Sequence, residues 1–166
     1  MRTGTIEYRV KLPTKQGAWC APLWFHNHIG ASSEPGTPRA EIDGLELFPG
    51  GGEEGPGAYA TLHDWSHDPQ AAMANTPNVG AADGAWHTCK MTWDATKFES
   101  WVDGVSQCVI TAAAFNAGGD FSVFSTTDIY LVMDLAVGTS WGGPEPLAGT
   151  TALQFALDYI RVTKTS

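Results

Sequence analysis

The sequence has no apolar run near the roughly 20 residues that a helix needs to cross a bilayer. Its first residues, Met1-Arg2-Thr3-Gly4-Thr5, enter an alternating pattern at once and show no apolar core of a secretory signal. Positive charge is scarce: nine Lys plus Arg stand against 18 Asp plus Glu, for a net charge of −9. Proteins that bind nucleic acid displace its counterions with a basic footprint, so nucleic acid is excluded as a partner. Charged residues of either sign make up only 16% of the chain, which excludes a coiled coil, a helical bundle and a disordered tail. Cysteine is limited to Cys20, Cys89 and Cys108, all among apolar or aromatic neighbours and none in Cys-x-x-Cys spacing. At least one of the three is unpaired within a monomer, and the setting reads as buried structural thiols rather than a metal or redox centre.

Glycine (19), proline (10) and tryptophan (7) are plentiful, and 43% of the 166 residues are apolar. That length suits one domain spanning 1–166, with a core large enough to fold without a disulfide scaffold. Ile6, Tyr8, Val10 and Leu12 alternate with polar residues, the period of a half-buried strand. Further strands are expected over 19–26, 40–48, 58–64, 86–93, 97–102 and 153–162, with irregular chain over 30–39, 50–57 and 65–84. Asp103-Gly104 between Val102 and Val105 predicts a two-residue hairpin, because both turn positions require positive φ. Residues 111–116 suit one helical turn or two. The almost wholly apolar Ile129–Val137 reads as a strand covered on both faces. Nine or ten strands with almost no helix predict an all-β, two-sheet antiparallel sandwich.

The segment Ala40-Glu41-Ile42-Asp43-Gly44-Leu45-Glu46-Leu47-Phe48 concentrates the chemistry. Glu41 and Asp43 share one face of a strand, while in regular geometry Glu46 falls on the opposite face, in the core. An unpaired charge there is costly. A β-bulge admits one extra residue and returns Glu46 to the open face, and Gly44 is the natural place because glycine tolerates unusual dihedrals. Three carboxylates in a row repel, which pushes at least one pKa upward and sets a proton donor beside an anion. A retaining glycosidase uses such a pair. On that logic Glu41 is the nucleophile, Glu46 the acid/base and Asp43 the group that orients and tunes them. The same triad is open to two other readings, a solvated edge-strand face and a cation site built from carboxylate oxygens.

Glu41-Ile42-Asp43-Gly44-Leu45-Glu46 resembles the bulged E-x-D-x-x-E signature of glycoside hydrolase family 16, the laminarinase-like enzymes. Other segments resemble the family in order: Gly4–Pro13, Gly17-Ala18-Trp19 through Trp24, Thr61-Leu62-His63, Trp86-His87-Thr88 with Trp93, Trp101-Val102-Asp103-Gly104, Leu131–Gly138 and Leu157–Val162. The likeness runs over residues 4–162. The sequence departs from the pattern in lacking the strands that usually precede the segment at Gly4, in one extra residue between Trp19 and Trp24, and in Asp134 where the family has Asn. The resemblance implies a jelly-roll sandwich of the concanavalin A-like type. It also implies hydrolysis of internal β-linkages with retention, with β-1,3-glucan the expected polysaccharide, and the same roles for Glu41, Asp43 and Glu46. The expected location is extracellular, or on a virion or cell surface. The expected state is a monomer or one part of a larger protein, and no cofactor or metal is called for.

Beyond the triad, His63 is expected by resemblance to point into the cleft. Trp24, Trp65 and Trp141 are candidates to stack on sugar rings, and each is equally able to fill a core. Asp134 interrupts an apolar run, so it needs a partner or a polar cleft. His26 and His28 share a strand face, but no third ligand is spaced to complete a zinc site. The rival function is a carbohydrate-binding or adhesion module with little or no hydrolysis, and a purely structural sandwich is the third reading.

Overall fold

The computed structural model describes residues 1–14, 17–27, 38–48, 57–66, 71–75, 84–137, 149 and 152–165. In chain order the strands are β1 (Gly4–Lys11), β2 (Ala18–His26), β3 (Ala40–Phe48), β4 (Gly57–Asp64), β5 (Ala71–Asn75), β6 (Trp86–Trp93), β7 (Lys97–Val102) and β8 (Val105–Thr111). Two single-turn helices, α1 (Ala112–Phe115) and α2 (Val123–Thr126), lead to β9 (Tyr130–Val137) and β10 (Ala156–Lys164). Among the described residues these form two five-stranded antiparallel sheets, ordered β10-β1-β6-β7-β8 and β5-β4-β3-β2-β9. This is the all-β sandwich that the alternating pattern predicts. No helix among the described residues is long and apolar enough to cross a membrane.

Alternation explains which side chains meet between the sheets. Ile6, Tyr8 and Val10 of β1 and Met91 and Trp93 of β6 are buried from one side. Leu23, Phe25, Ile42, Leu45, Leu47 and Leu62 are buried from the other, in the same core. Each such side chain contributes about 1.5–3 kcal/mol relative to exposure. Phe115, Phe121 and Phe124 extend the core as edge-to-face rings with centroids 5.2 to 6.0 Å apart. The β7–β8 turn has φ of 50° at Asp103 and 78° at Gly104, the double positive value its sequence requires. Asp103 also accepts from Thr88 N at 2.9 Å and sits 2.7 Å from His87 Nδ1, tying the turn back to β6.

Three expectations need correction. Strand β5 lies inside the stretch read as irregular, because its Ala-rich sequence carries no period and its pairing is imposed by β4. Among the described residues strand β9 is an edge strand rather than one covered on both faces, and Met133 is 49% exposed. The last strand begins at Ala156, three residues later than its apolar run suggests. Cys20, Cys89 and Cys108 are all free and buried. Burial pushes the thiols of Cys20 and Cys89 up to about 12 and that of Cys108 to about 11.

Candidate active site

The register of β3 shows how three acids reach one face. Asp43 pairs with Thr61 and Glu46 with Tyr59, so three steps on β3 are matched by two on β4. On the other side Leu45 pairs with Leu23 and Asp43 with Trp24, two steps against one. Gly44 is the extra residue. After it the alternation resumes with Leu45 and Leu47 in the core and Glu46 beside Glu41 and Asp43. The reason for glycine differs from the expected one, since φ at Gly44 is not positive. A Cβ built there would instead overlap the methyl group of Met91, with the Met91 sulfur 3.0 Å away. The bulge is pressed onto the opposite sheet, and a side chain fits beneath it only if the end of Met91 gives way.

A second bulge lies on β2, where Cys20 pairs with Leu47 and Leu23 with Leu45. It absorbs the extra residue between Trp19 and Trp24 and includes Pro22, which has no N–H to give to a ladder. Trp24 therefore stands opposite Asp43 on the acidic face. Three rows result across the sheet: His63, Glu41, His26 and Tyr130; Thr61, Asp43, Trp24 and Val132; and Tyr59 and Glu46, with Asp134 further along. Asp134 pairs with Ala21, two strands from Glu46, about 10 Å across the sheet. Trp65, just past β4, donates its Nε1–H to Glu41 Oε2 at 3.1 Å and stacks on His63 with centroids 5.4 Å apart. Its main chain is fixed by Trp65 N donating to Arg39 O at 2.8 Å and by the Arg39 guanidinium donating to Trp65 O.

Thus Glu41, Asp43, Glu46, His63, Trp65, Trp24 and Asp134 all lie on or beside one face. Trp141 lies outside the described residues, as does His28. Sequence reasoning missed His26 as a neighbour of Glu41: its Nε2 is 3.5 Å from Glu41 Oε2. It also missed Tyr130, whose ring centroid is 6.2 Å from that of His26. The available signal was parity, since His26 lies two residues after Trp24 and so shares its face.

Electrostatics on this face are set first by burial. Asp43 is 3% exposed, and burial followed by the charge of Glu41 holds its carboxyl well above the usual range. Burial also raises Glu41; His63 and the Trp65 hydrogen bond pull it back down, and Glu46 pushes it up. Like-charge crowding is therefore a lesser cause than expected. His63 is lowered by burial, against the upward pull of Glu41 and Glu46. Glu46 Oε2 accepts from Thr61 Oγ1 at 3.3 Å. Trp24 Nε1 is a buried donor with no hydrogen-bond partner among the described residues. The arrangement can hold one carboxylate ready to attack, a second carboxyl to pass a proton, and aromatic faces to seat a ring. A separate cavity of about 470 Å³ between Lys11–Thr14 and Ala152–Gln154 is lined, among the described residues, by Lys11 and no carboxylate.

No protein-family model matches the chain. The glucan endo-1,3-beta-glucosidase A1 of Niallia circulans is 29% identical over 99% of this chain, which spans 24% of that protein. The laminarinase catalytic domain of Thermotoga maritima is 29% identical with a TM-score of 0.74, covering all of this chain and 65% of its own. A solved structure described under gut-microbial endo-acting O-glycanases that initiate mucin breakdown is 26% identical, with a TM-score of 0.74. It covers 98% of this chain and 57% of its own. The chain thus spans about a quarter of the curated relative and less than two thirds of these solved ones.

Proposed function

We propose, for a chain that belongs to the laminarinase-like glycoside hydrolase family 16, that it hydrolyses internal β-linkages of a polysaccharide with retention, and that β-1,3-glucan is its substrate. The observation that carries this reading is the bulge at Gly44, which sets Glu41, Asp43 and Glu46 on one face of the sheet. Glu41 is the nucleophile. Two neighbours orient it: Trp65 Nε1 holds Oε2 at 3.1 Å, and His63 Nε2 lies 3.8 Å from Oε1. Glu46, hydrogen-bonded by Thr61, protonates the leaving oxygen and then draws a proton from the incoming water. Asp43 lies between them on the strand, and its buried carboxyl favours the neutral, proton-holding state beside an anionic Glu41.

Substrate is seated by Trp24, Trp65 and His63, with Asp134 at the far edge of the face. The orphan Trp24 Nε1–H suits a sugar hydroxyl oxygen, and the flat rings suit the apolar faces of pyranose units. The reaction so drawn needs no cofactor. It is consistent with an extracellular enzyme acting on an external polymer, alone or as part of a larger protein.

Reducing-sugar release from laminarin, mixed-linkage glucan, agar, carrageenan and a mucin O-glycan tests the reading. Wild type is expected to cleave laminarin best, and Glu41→Gln and Glu46→Gln to be inactive. Activity that survives either substitution would overturn the assigned roles. Glycan affinity without turnover on any polymer would favour a binding module. A glycosyl adduct on Glu41, trapped with a slow substrate and mapped by mass spectrometry, separates retention from inversion.

A further inference from the structure

Three of the side chains assigned to hydrolysis also form a metal-donor set. One carboxylate oxygen each of Glu41 and Asp43 and one ring nitrogen of His63 lie within 4.8 Å of one another. A tetrahedral zinc ion with bonds of about 2.0–2.2 Å sets its ligand atoms roughly 3.3–3.5 Å apart. His63 Nε2 is 3.2 Å from Asp43 Oδ2 and 3.8 Å from Glu41 Oε1, values that bracket that spacing. The remaining edge, between the two carboxylates, is no longer than 4.8 Å. A separate observation points to a ligand: in an almost wholly enclosed side chain, Asp43 Oδ2 accepts no hydrogen bond of proper geometry among the described residues, the His63 nitrogen at 3.2 Å notwithstanding. A buried acceptor left in that state is costly unless something fills the space in front of it.

We propose that Glu41, Asp43 and His63 bind a zinc ion in place of substrate, which makes the face subject to a reversible metal block. An imidazole nitrogen among only three protein donors favours zinc or copper(II) over calcium and magnesium, which require six or more oxygen ligands. The fourth position stays open to water. Glu41 Oε2 remains on Trp65 Nε1 and faces His26 Nε2, so these two side chains orient the liganding carboxylate from behind. The bound ion engages the Glu41 oxygen that attacks the sugar, so zinc and polysaccharide exclude each other. That consequence rests on the hydrolytic reading, whereas the binding itself does not.

The test begins with chelator-treated full chain titrated with zinc chloride in a calorimeter and with cobalt(II) in a spectrophotometer. One ion per chain and a tetrahedral cobalt spectrum are expected. His63→Gln should weaken zinc by about 100-fold or more, while His87→Ala, at the histidine–carboxylate pair of the β7–β8 turn, should leave it unchanged. Hydrolysis should fall in step with zinc occupancy and return on addition of EDTA. No uptake at millimolar zinc, uptake undiminished in His63→Gln, or uptake lost in His87→Ala would each overturn the proposal. If His63→Gln fails to fold by circular dichroism, the wild-type cobalt spectrum decides, an octahedral one being a refutation. An active enzyme indifferent to zinc removes the metal site alone. A chain that binds zinc but hydrolyses nothing in chelator removes the hydrolytic reading alone.

Discussion

Replacing Gly44 with alanine adds one methyl group to the bulge of β3, at a point where it collides with the methyl of Met91. Met91 is fully buried between the sheets, so it cannot swing into solvent. Overpacking of this kind costs about 1–3 kcal/mol. The atom displaced is the end of a flexible side chain, which places Gly44→Ala in the lower part of that range, about 1–2 kcal/mol. For a chain of this size that lowers Tm by about 2–8 °C. Met91→Ala alone costs about 2–5 kcal/mol through the cavity it leaves. In that background the alanine at position 44 enters vacated space, so its cost should vanish or change sign, a coupling of about 1–2 kcal/mol. Urea and thermal unfolding of the four proteins measure the cycle. Equal cost of Gly44→Ala in both backgrounds would refute the reasoning, because it would mean that the main chain at position 44, not Met91, excludes a side chain. Turnover by Gly44→Ala should also fall, since any relief of the clash shifts Glu46 relative to Glu41.

Asp43→Asn should abolish most activity yet raise stability at neutral pH by about 0.5–2 kcal/mol, since it replaces a carboxyl whose charged form burial and Glu41 disfavour; chemical denaturation checks this, and a destabilised variant would contradict it. Trp65→Phe keeps the ring on His63 but removes the N–H that holds Glu41, a bond to a charged group worth about 1.5–3 kcal/mol. It should lower kcat about 10- to 100-fold with KM little changed, and loss through KM alone would mean that Trp65 only binds sugar. At the β7–β8 turn, Asp103→Ala should cost about 1–2 kcal/mol by unfolding, through loss of the Thr88 hydrogen bond and a positive φ without glycine or asparagine; Asp103→Gly, which keeps the φ, should cost less.

The sandwich was readable in the sequence wherever one face is dry and the other wet. Strands β1 and β6 alternate for that reason, and the turn at Asp103-Gly104 is written in residues that tolerate positive φ. The gathering of Glu41, Asp43 and Glu46 was readable too, because burying Glu46 is too costly to leave the strand regular. What escaped was whatever depends on neighbours from elsewhere in the chain. Ala71–Asn75 becomes a strand because β4 offers it an edge. Tyr130–Val137 is as apolar as an inner strand yet lies at a sheet edge, and local composition does not encode sheet order. Gly44 was singled out correctly but for its dihedrals, while the operative constraint is Met91, 47 residues further on and in the opposite sheet. His26 was seen only as a failed zinc ligand, because its meeting with Glu41 depends on a β2 register that Pro22 and its bulge reset.

The three enclosed thiols have a use as reporters. Each is screened from solvent, and with values near 11 and 12 each is almost wholly protonated at neutral pH. An alkylating reagent therefore reaches them only through an opening of the surrounding strands. Cys108 sits in the border strand β8, Cys89 in β6 between β1 and β7, and Cys20 in β2 between β3 and β9. Timed alkylation read by mass spectrometry would thus clock separate parts of the molecule without any added label. Cys108 should be modified first and Cys89 last, while Cys20 times how often the strand that carries Trp24 and His26 comes away from the acids.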